Sequence, residues 1–344
     1  PCRIIDRNAG HRGDAMKTLI DDELCLFAIN SSRPFGERVA QHLRIALSQH
    51  EERNFEDGEH KSRPLDPVRG RDVFIIHSLH GDAGESVNDK LCRLLFFIGA
   101  VKDAGAQRVT AVVPYLAYAR KDRQTKERDP VTTRYIAALF ESAGTDAIVT
   151  LDVHNLAAFQ NAFRCRTFHL DASGLFVRFL LPLLTGVQAT VVSPDSGGLK
   201  RAEAFRQQLA GALGRPVEMA CAEKYRSSGV LTGGMLIGDV RDRMAILYDD
   251  LISSGTTLAR AAASCRDAGA TGAIALATHG LFSERAGTVL SESFIERVVV
   301  TDSVAPGRPG AAALGARLAL VGSAALVAAL RIAATKGATR PFFD

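Results

Sequence analysis

The chain has 344 residues, more than a single hydrophobic core usually organises, and this length predicts two packed domains. Its net charge of +4 gives no indication of a nucleic-acid partner and leaves anionic small substrates open. The six cysteines show no C-x-x-C spacing, so the sequence indicates neither a disulfide framework nor a zinc site and favours reduced thiols in the cytoplasm.

The first 22 residues are polar and lack the apolar core of a signal peptide, and we interpret them as an N-terminal extension. After them, short runs rich in Val, Ile and Ala alternate with longer helical patterns, which is typical of parallel α/β units. The clearest predicted strands, in chain order, are VFIIHS, RVTAVVPY, AIVTLDVH, ATVVSPD, MAILYDD and AIALATHG. Most of them run into polar or glycine-bearing loops, where parallel sheets bind their ligands.

Two stretches of the chain resemble each other. VKDAGAQRVTAVVPYLAY begins at Val101 and CRDAGATGAIALATHGLF begins at Cys265, and each contains a predicted helix end, a glycine and a buried strand. D-A-G-A is also a common helix stop, so identity alone leaves chance open, but the matching order of elements favours duplication. We therefore predict an α/β fold with two related domains of parallel sheets flanked by helices, in which loop 77–89 corresponds to loop 249–257.

The second of these loops has the chemistry of a phosphate site. A buried strand ends in Asp249 and Asp250, and Ser-Ser-Gly-Thr-Thr at 253–257 leads directly into a predicted helix. Backbone N–H groups, hydroxyls and the positive helix end can bind one phosphate there. The adjacent carboxylates need solvent, a cation or hydroxyl donors, and a ribose 2,3-diol supplies such donors, with or without magnesium. The alternative is a solvent-exposed turn with an ordinary Ser/Thr helix cap.

Other nucleotide motifs and a membrane span are not supported. The chain contains no Gly-Lys dipeptide and no G-x-G, which excludes a P-loop and a dinucleotide fingerprint. The apolar segment from Leu314 to Ala334 is interrupted by Arg317, Arg331 and Gly322. We predict a buried strand there, followed by a terminal amphipathic helix.

Six segments between Leu24 and Asp302 resemble the ribose-phosphate pyrophosphokinases (phosphoribosyl diphosphate synthetases), one branch of the phosphoribosyltransferase superfamily, and follow that family's order. They are FEDGE (55–59), VPYLAYARKDR (113–123), LDVH (151–154), SPDSGGLKRA (193–202), EKYR (223–226) and YDDLISSGTT (248–257). The resemblance implies two phosphoribosyltransferase-like domains. Residues 23–165 would form the ATP side and subunit contacts, and residues 166–344 would carry the ribose 5-phosphate loop, with the last helix packing back on the N-terminal domain.

The resemblance also implies the reaction. The β,γ-diphosphate of ATP would move to the 1-hydroxyl of ribose 5-phosphate, giving AMP and phosphoribosyl diphosphate for purine, pyrimidine and other nucleotide synthesis. By the same resemblance, Lys224 and Arg226 would be the catalytic cations, on a glycine-rich loop expected to be mobile. This agrees with the chemistry, because displacement at phosphorus is catalysed mainly by positioning and by cations. A homo-oligomer, a hexamer built from dimers, is implied as well, with no nucleic acid and no membrane as partners.

The implied binding residues fall into three sets. Ribose 5-phosphate would be bound by Asp249, Asp250, Ser253, Ser254, Gly255, Thr256 and Thr257. ATP would be bound by Phe55, Asp57, Gly58, Glu59, Arg120, Lys121, Asp122 and Arg123, with Arg120 expected at a strand end. Magnesium would be bound by His154 and Asp195. Asp152 lies two residues before His154, on the same strand face, and is a candidate to orient it.

Three positions depart from the common family pattern. Ser253 stands in place of an acid, Thr256 in place of a second glycine, and Lys121 in place of a glutamine. Two alternatives remain. A plain phosphoribosyltransferase would need only one such domain and no loop with Lys224 and Arg226. A non-catalytic, synthetase-like regulatory subunit is disfavoured because the implied catalytic and binding residues are present.

Overall fold

A computed structural model describes residues 24–227, 230–305 and 307–328, without the side chains of residues 223–234. The described chain divides into two compact units, one covering residues 24–150 and 155–168, the other residues 151–154 and 169–328. The extension 1–22 and the end of the predicted terminal helix lie outside the described residues. The predicted domain limits stay a prediction.

The first half of the chain builds a five-stranded sheet in the order β1-β4-β5-β6-β7, with β1, β4, β5 and β6 parallel. Strands β2 and β3 form a separate antiparallel hairpin. The strands are β1 (Leu24–Ala28), β2 (His50–Asn54), β3 (His60–Pro64), β4 (Asp72–Ile76), β5 (Arg108–Val112), β6 (Ala147–Leu151) and β7 (Arg166–Leu170). The helices are α1 (Arg33–Leu43), α2 (Val87–Asp103), α3 (Thr132–Ser142) and α4 (Leu156–Ala162), and a 3-10 turn spans Asn30–Ser32.

The second half builds a seven-stranded sheet in the order β10-β9-β8-β11-β12-β13-β14, parallel except for β10, which pairs antiparallel with β9. The strands are β8 (Ala189–Ser193), β9 (Glu218–Ser227), β10 (Val230–Ile237), β11 (Met244–Ile252), β12 (Gly272–Gly280), β13 (Ile295–Thr301) and β14 (Leu318–Val321). The helices are α5 (Ser173–Leu180), α6 (Leu199–Leu213), α7 (Thr256–Asp267) and α8 (Ala286–Ser291), with 3-10 segments at Ser196–Gly198 and Pro309–Arg317.

Side chains of the central strand β11 alternate between two cores, as a strand covered by helices on both faces requires. Leu247 packs in the cluster that contains Leu258 of α7. Tyr248 packs in the other cluster, where its ring stacks on Phe205 of α6 with centroids 4.3 Å apart. Helices on both faces therefore fix the end of β11.

The predicted fold class is confirmed, and the repeat is visible in the backbone. The six predicted strands are present as β4, β5, β6, β8, β11 and β12. The units β4-α2-β5 and β11-α7-β12 each join neighbouring parallel strands through a helix. Gly105 and Gly269 end the two helices with φ of 91° and 92°, and each donates a 2.9 Å hydrogen bond, to Lys102 O and to Arg266 O. Only glycine adopts such angles without strain.

The apolar segment near the C-terminus contains a strand, β14, as predicted, but the strand is only partly buried, with Leu320 47% exposed. Among the residues described, no helix combines the length and the apolar character needed to cross a membrane.

Candidate functional site

The proposed phosphate loop lies where β11 passes into α7. The strand ends at Ile252, and the helix begins at Thr256. Gly255 occupies the position before the helix with a φ of 74°, a conformation that glycine adopts readily and other residues do not. This turn points the first N–H groups of α7 away from the helix, where an anion can accept them.

Hydroxyl groups surround this turn. The Ser254 and Thr256 hydroxyl oxygens lie 3.0 Å apart, and the Ser254 oxygen accepts a long bond from Thr256 N at 3.4 Å. Ser253 is anchored through its backbone, because its carbonyl accepts from Ser283 N at 3.0 Å. Ser253 and Thr256, two of the positions that depart from the common family pattern, therefore lie in a defined turn.

The two adjacent acids at the end of β11 are bridged by an arginine. Arg201 Nη1 lies 2.9 Å from Asp249 Oδ1 and 2.9 Å from Asp250 Oδ1. Burial and the neighbouring carboxylate raise the pKa of Asp249 to about 7. The pair thus carries between one and two negative charges near neutral pH, and Arg201 supplies the cation that such a pair requires.

Asp250 is bonded on both of its oxygens. Its Oδ1 accepts from Arg201, and its Oδ2 lies 2.9 Å from Nδ1 of His154. Its side chain is only 4% exposed, against 23% for Asp249. Burial alone would raise the pKa of Asp250, but the bonds to His154 and Arg201 hold it well below its usual value. Asp250 is therefore an ionised acceptor that orients its neighbours.

The bond to Asp250 fixes the chemistry of the His154 ring. When Nδ1 donates to a carboxylate, Nε2 is left as the lone-pair nitrogen, which is the usual arrangement of a metal-binding histidine. Sequence reasoning assigned this orienting role to Asp152, but the carboxylate in contact with His154 Nδ1 is Asp250. That contact joins residues far apart in sequence, which no strand periodicity predicts.

Asp152 instead anchors the segment 151–154 to the second sheet. It accepts from Ala172 N at 3.2 Å and from the hydroxyl of Thr278 on β12. His279, the next residue of β12, lies with Nε2 at 3.1 Å from Leu151 O. Burial lowers the pKa of His279 to about 4, so it is neutral near pH 7. Buried bonds therefore hold the backbone that carries His154.

Asp195, the second proposed metal ligand, follows β8 and caps the 3-10 turn. Its Oδ1 accepts from Gly197 N at 3.0 Å and from Gly198 N at 3.2 Å. Within the described ranges, no group of three or more His, Cys, Asp or Glu side chains is arranged to hold a metal ion. One carboxylate and one histidine fit magnesium only as a partial site, completed by water or substrate phosphates, which is ordinary for this ion.

Lys224 and Arg226 lie on β9, whose backbone pairs antiparallel with β10 at the edge of the sheet. Lys224 is paired with Gly234, and Arg226 with Leu231. The two stretches are thus extended, paired strands, whereas the sequence predicted a glycine-rich loop expected to be mobile. The side chains of these two residues lie outside the described part, and their catalytic role stays a prediction.

The FEDGE segment is the turn between β2 and β3. Phe55 N donates to Glu59 O at 2.8 Å, and Asp57 Oδ1 accepts from Glu59 N at 3.1 Å. Gly58 has a φ of 93°, and Arg53 lies over the half-exposed Phe55 ring, 5.1 Å from its centroid. An exposed aromatic ring at a tight turn is a suitable platform for a flat base.

The second predicted ATP segment, 120–123, lies beyond β5 in a long connection. The expectation that Arg120 stands at a strand end is wrong, because β5 already ends at Val112. Lys121 pairs with Asp129 and bonds to Thr125 at 2.9 Å. Asp122 accepts from Asn155 at 2.6 Å, whereas Arg120 is exposed. These contacts order the segment without burying its charges.

In the first unit, loop 77–89 corresponds to the proposed phosphate loop. Side chains of this loop accept hydrogen bonds from its own backbone N–H groups. Asp82 Oδ1 accepts from Gly84 N and Glu85 N at 2.9 Å each, and its Oδ2 pairs with the fully buried Lys90 at 2.5 Å. Ser86 and Asp89 form a capping box at the start of α2. A carboxylate and a helix cap therefore take the donors that an anion would otherwise use.

Arg201 is the residue that sequence reasoning missed. It belongs to the quoted segment SPDSGGLKRA, but its position gave no sign that its guanidinium reaches Asp249 and Asp250. The available signal was indirect, since two adjacent buried acids need solvent, a cation or hydroxyl donors, and a cation was one of these options. The structure supplies that cation from α6.

A parallel strand that carries an acid pair near its end and turns through glycine into a helix, within a duplicated α/β chain, is typical of a phosphoribosyltransferase-like fold. The family model described as the N-terminal domain of ribose phosphate pyrophosphokinase matches residues 24–144. The model of the phosphoribosyl synthetase-associated domain matches residues 231–309. The chain belongs to the ribose-phosphate pyrophosphokinase family.

Individual relatives agree over most of the chain. The ribose-phosphate pyrophosphokinase of Caldanaerobacter subterraneus is 37% identical over 284 residues, covering 82% of this chain and 86% of the relative. That of Thermotoga maritima is 35% identical over 286 residues, covering 82% and 87%. The crystal structure of phosphoribosylpyrophosphate synthetase from Mycobacterium smegmatis matches with a TM-score of 0.83 and 32% identity, over 92% of this chain and 99% of that one.

Proposed function

We propose that this protein transfers the β,γ-diphosphate of ATP to the 1-hydroxyl of ribose 5-phosphate, releasing AMP and forming phosphoribosyl diphosphate. The observation that carries the proposal is the acid pair Asp249–Asp250, held by Arg201 directly before the glycine turn and the N-terminus of α7. A sugar diol and a phosphate are the two chemistries that such a strand end and helix start recognise. The product would feed nucleotide synthesis.

On the ribose side, Asp249 accepts hydrogen bonds from the sugar hydroxyls, because it is the more exposed of the two acids. Ser253, Ser254, Thr256, Thr257 and the backbone at Gly255 donate to the 5-phosphate. The N-terminus of α7 favours the negative charge of this phosphate. Asp250 contributes by holding His154 and Arg201, in addition to lying beside the sugar.

On the ATP side, Phe55 stacks near the adenine, while Asp57, Gly58 and Glu59 form the turn that presents it. The residues of segment 120–123 contact the nucleotide. Exposed basic side chains are suited to this role, since arginine offers a planar fork to phosphate oxygens. A neighbouring subunit completes this site, so we propose a homo-oligomer, a hexamer built from dimers.

Magnesium would be held by His154 and by the Asp195 carboxylate, and when bound it would neutralise phosphate charge. His154 is kept in the required tautomer by Asp250. Asp195 is kept rigid by the N–H groups of Gly197 and Gly198.

Lys224 and Arg226 stabilise the charge that spreads over the transferring group as the oxygen–phosphorus bond to AMP breaks. The reaction takes place in the cytoplasm. Support for a reducing compartment comes from the five free cysteines found in the described residues.

The test mixes the pure protein with ribose 5-phosphate, ATP and magnesium and follows both adenine nucleotides. We expect AMP to form in equal amount to phosphoribosyl diphosphate. Release of ADP would contradict diphosphate transfer. Binding of both substrates without turnover would favour the regulatory-subunit alternative.

A further inference from the structure

We propose that Arg201 is a positioning residue that determines the affinity for ribose 5-phosphate, because it locks the acid pair into its binding arrangement before the substrate arrives. The inference rests on the proposed function of the Asp249 site. It concerns a residue on α6, outside the strand and loop that contact the sugar in the proposal.

The first argument is the geometry of the guanidinium. Nη1 contacts Asp249 and Asp250 at 2.9 Å each, and Nη2 donates to the carbonyl of His154 at 3.1 Å. One planar group therefore joins the end of β11, the segment carrying His154, and α6. A planar fork with several donors makes such a three-way contact, which a single ammonium does less well.

The second argument is that Asp249 and Asp250 differ in their hydrogen-bond partners and in their burial. Asp250 has both oxygens bonded to protein groups and is almost fully buried. Asp249 is the carboxylate left for the sugar, yet it lies beside a negative neighbour and is itself mostly buried. Without Arg201 the two carboxylates repel each other, and Asp249 Oδ1 loses one of its two hydrogen bonds, the other being donated by Asp250 N at 2.9 Å.

The predicted consequence is a split between kinetic constants. The acid pair binds the sugar in the ground state, so loss of Arg201 raises the KM for ribose 5-phosphate. ATP is proposed to bind mainly through the turn 55–59 and the segment 120–123, and Arg201 contacts the His154 segment only at a backbone carbonyl, so the KM for ATP should rise much less. For Arg201→Gln we expect the ribose 5-phosphate KM to rise roughly 10- to 100-fold, by analogy with the loss found when a group that orients a metal ligand is removed.

Arg206 provides a matched control on the same helix. Its side chain is 25% exposed, against 23% for Arg201, and it bonds to Glu203 at 2.7 Å and to Val217 O at 3.0 Å. Arg206→Gln removes an arginine and its ion pair while leaving the acid pair intact. Arg206→Gln therefore shows how far the loss of an arginine from α6, by itself, changes the two KM values.

The experiment measures both KM values for the wild type, R201Q, R206Q and R201K, and measures ribose 5-phosphate binding by calorimetry without ATP. We expect R201Q to lose ribose 5-phosphate affinity selectively, R206Q to match the wild type, and R201K to recover part of the loss by restoring the charge. R201K also keeps the test available if R201Q does not fold.

Three results would overturn the inference. They are unchanged ribose 5-phosphate binding in R201Q, an equal rise of both KM values, or an R201K variant no better than R201Q. Failure of the proposed function is separate, because it would show as a wild type that forms no AMP. Calorimetry would still decide whether Arg201 supports ribose 5-phosphate binding.

Discussion

Gly255 is the backbone position on which the phosphate loop depends. Its φ of 74° lies in the left-handed region, which costs an ordinary residue about 1 to 2 kcal/mol. A Cβ at this position would lie 2.7 Å from Leu290 Cγ and 2.9 Å from Leu290 Cδ2, whereas carbon atoms pack at about 3.5 to 4.0 Å. Leu290 is fully buried in the same core cluster as Leu258 and Phe282, so it has little room to move.

Gly255→Ala should therefore destabilise the protein through both the strained backbone angle and the clash of the new Cβ with Leu290. Overpacking of a core costs about 1 to 3 kcal/mol, so the total loss should be about 2 to 5 kcal/mol. Ribose 5-phosphate binding should weaken as well, because relief of the clash moves the N–H groups that face the phosphate. A urea titration followed by circular dichroism measures the first effect, and calorimetry with ribose 5-phosphate measures the second.

Gly211→Ala is the control. Gly211 lies within α6, and a Cβ there would have nothing within 4 Å, so alanine should stabilise the helix by about 0.5 to 1 kcal/mol. The reasoning about the loop would be refuted if G255A kept the stability of the wild type while G211A behaved as expected.

Two further predictions concern charged groups. Burial alone would raise the pKa of Asp82, but the bonds from Lys90 and two backbone N–H groups lower it from 3.8 to about 2. Asp82→Asn should cost roughly 2 kcal/mol near pH 7, because Lys90 is left buried without its partner. Since the folded pKa is the lower one, this difference in urea stability should shrink as the pH falls from about 4 to about 2. Lys224→Ala should lower kcat by roughly 100-fold or more while ribose 5-phosphate binding stays within about twofold, and equal losses in kinetics and calorimetry would place Lys224 in ground-state binding.

Much of the fold could be predicted because its signals are local. The strands are short apolar runs, and the helix ends at Gly105 and Gly269 carry the same residue for the same backbone angle. The turn from β11 into α7 was also predictable, since its acids, hydroxyls and glycine are consecutive. Local chemistry therefore located the repeat and this turn, and the binding of phosphate there stays a prediction.

The contacts that organise the site could not be predicted in this way. Arg201 bonds to Asp249 and His154 bonds to Asp250, and each pair is distant in sequence. The sequence favoured Asp152 as the partner of His154 because the two share a strand. Folding instead brings the Asp250 carboxylate of β11 to His154 Nδ1. Periodicity predicts which face a side chain occupies, but not which neighbour reaches it.

The repeat explains why one half of the chain carries the phosphate loop. At the start of α7, the N-cap residue Gly255 has no side chain to accept an N–H, and Thr256 N makes a long bond of 3.4 Å to the Ser254 hydroxyl. At the start of α2, Ser86 caps the helix, and Asp82 accepts two of the preceding loop's N–H groups while pairing with Lys90. The corresponding strand, loop and helix thus bind their own side chains in the first unit, whereas in the second unit they carry the anion site that we propose. The difference lies in whether the loop supplies its own carboxylate, which is why Asp82 and Gly255 are informative positions to change.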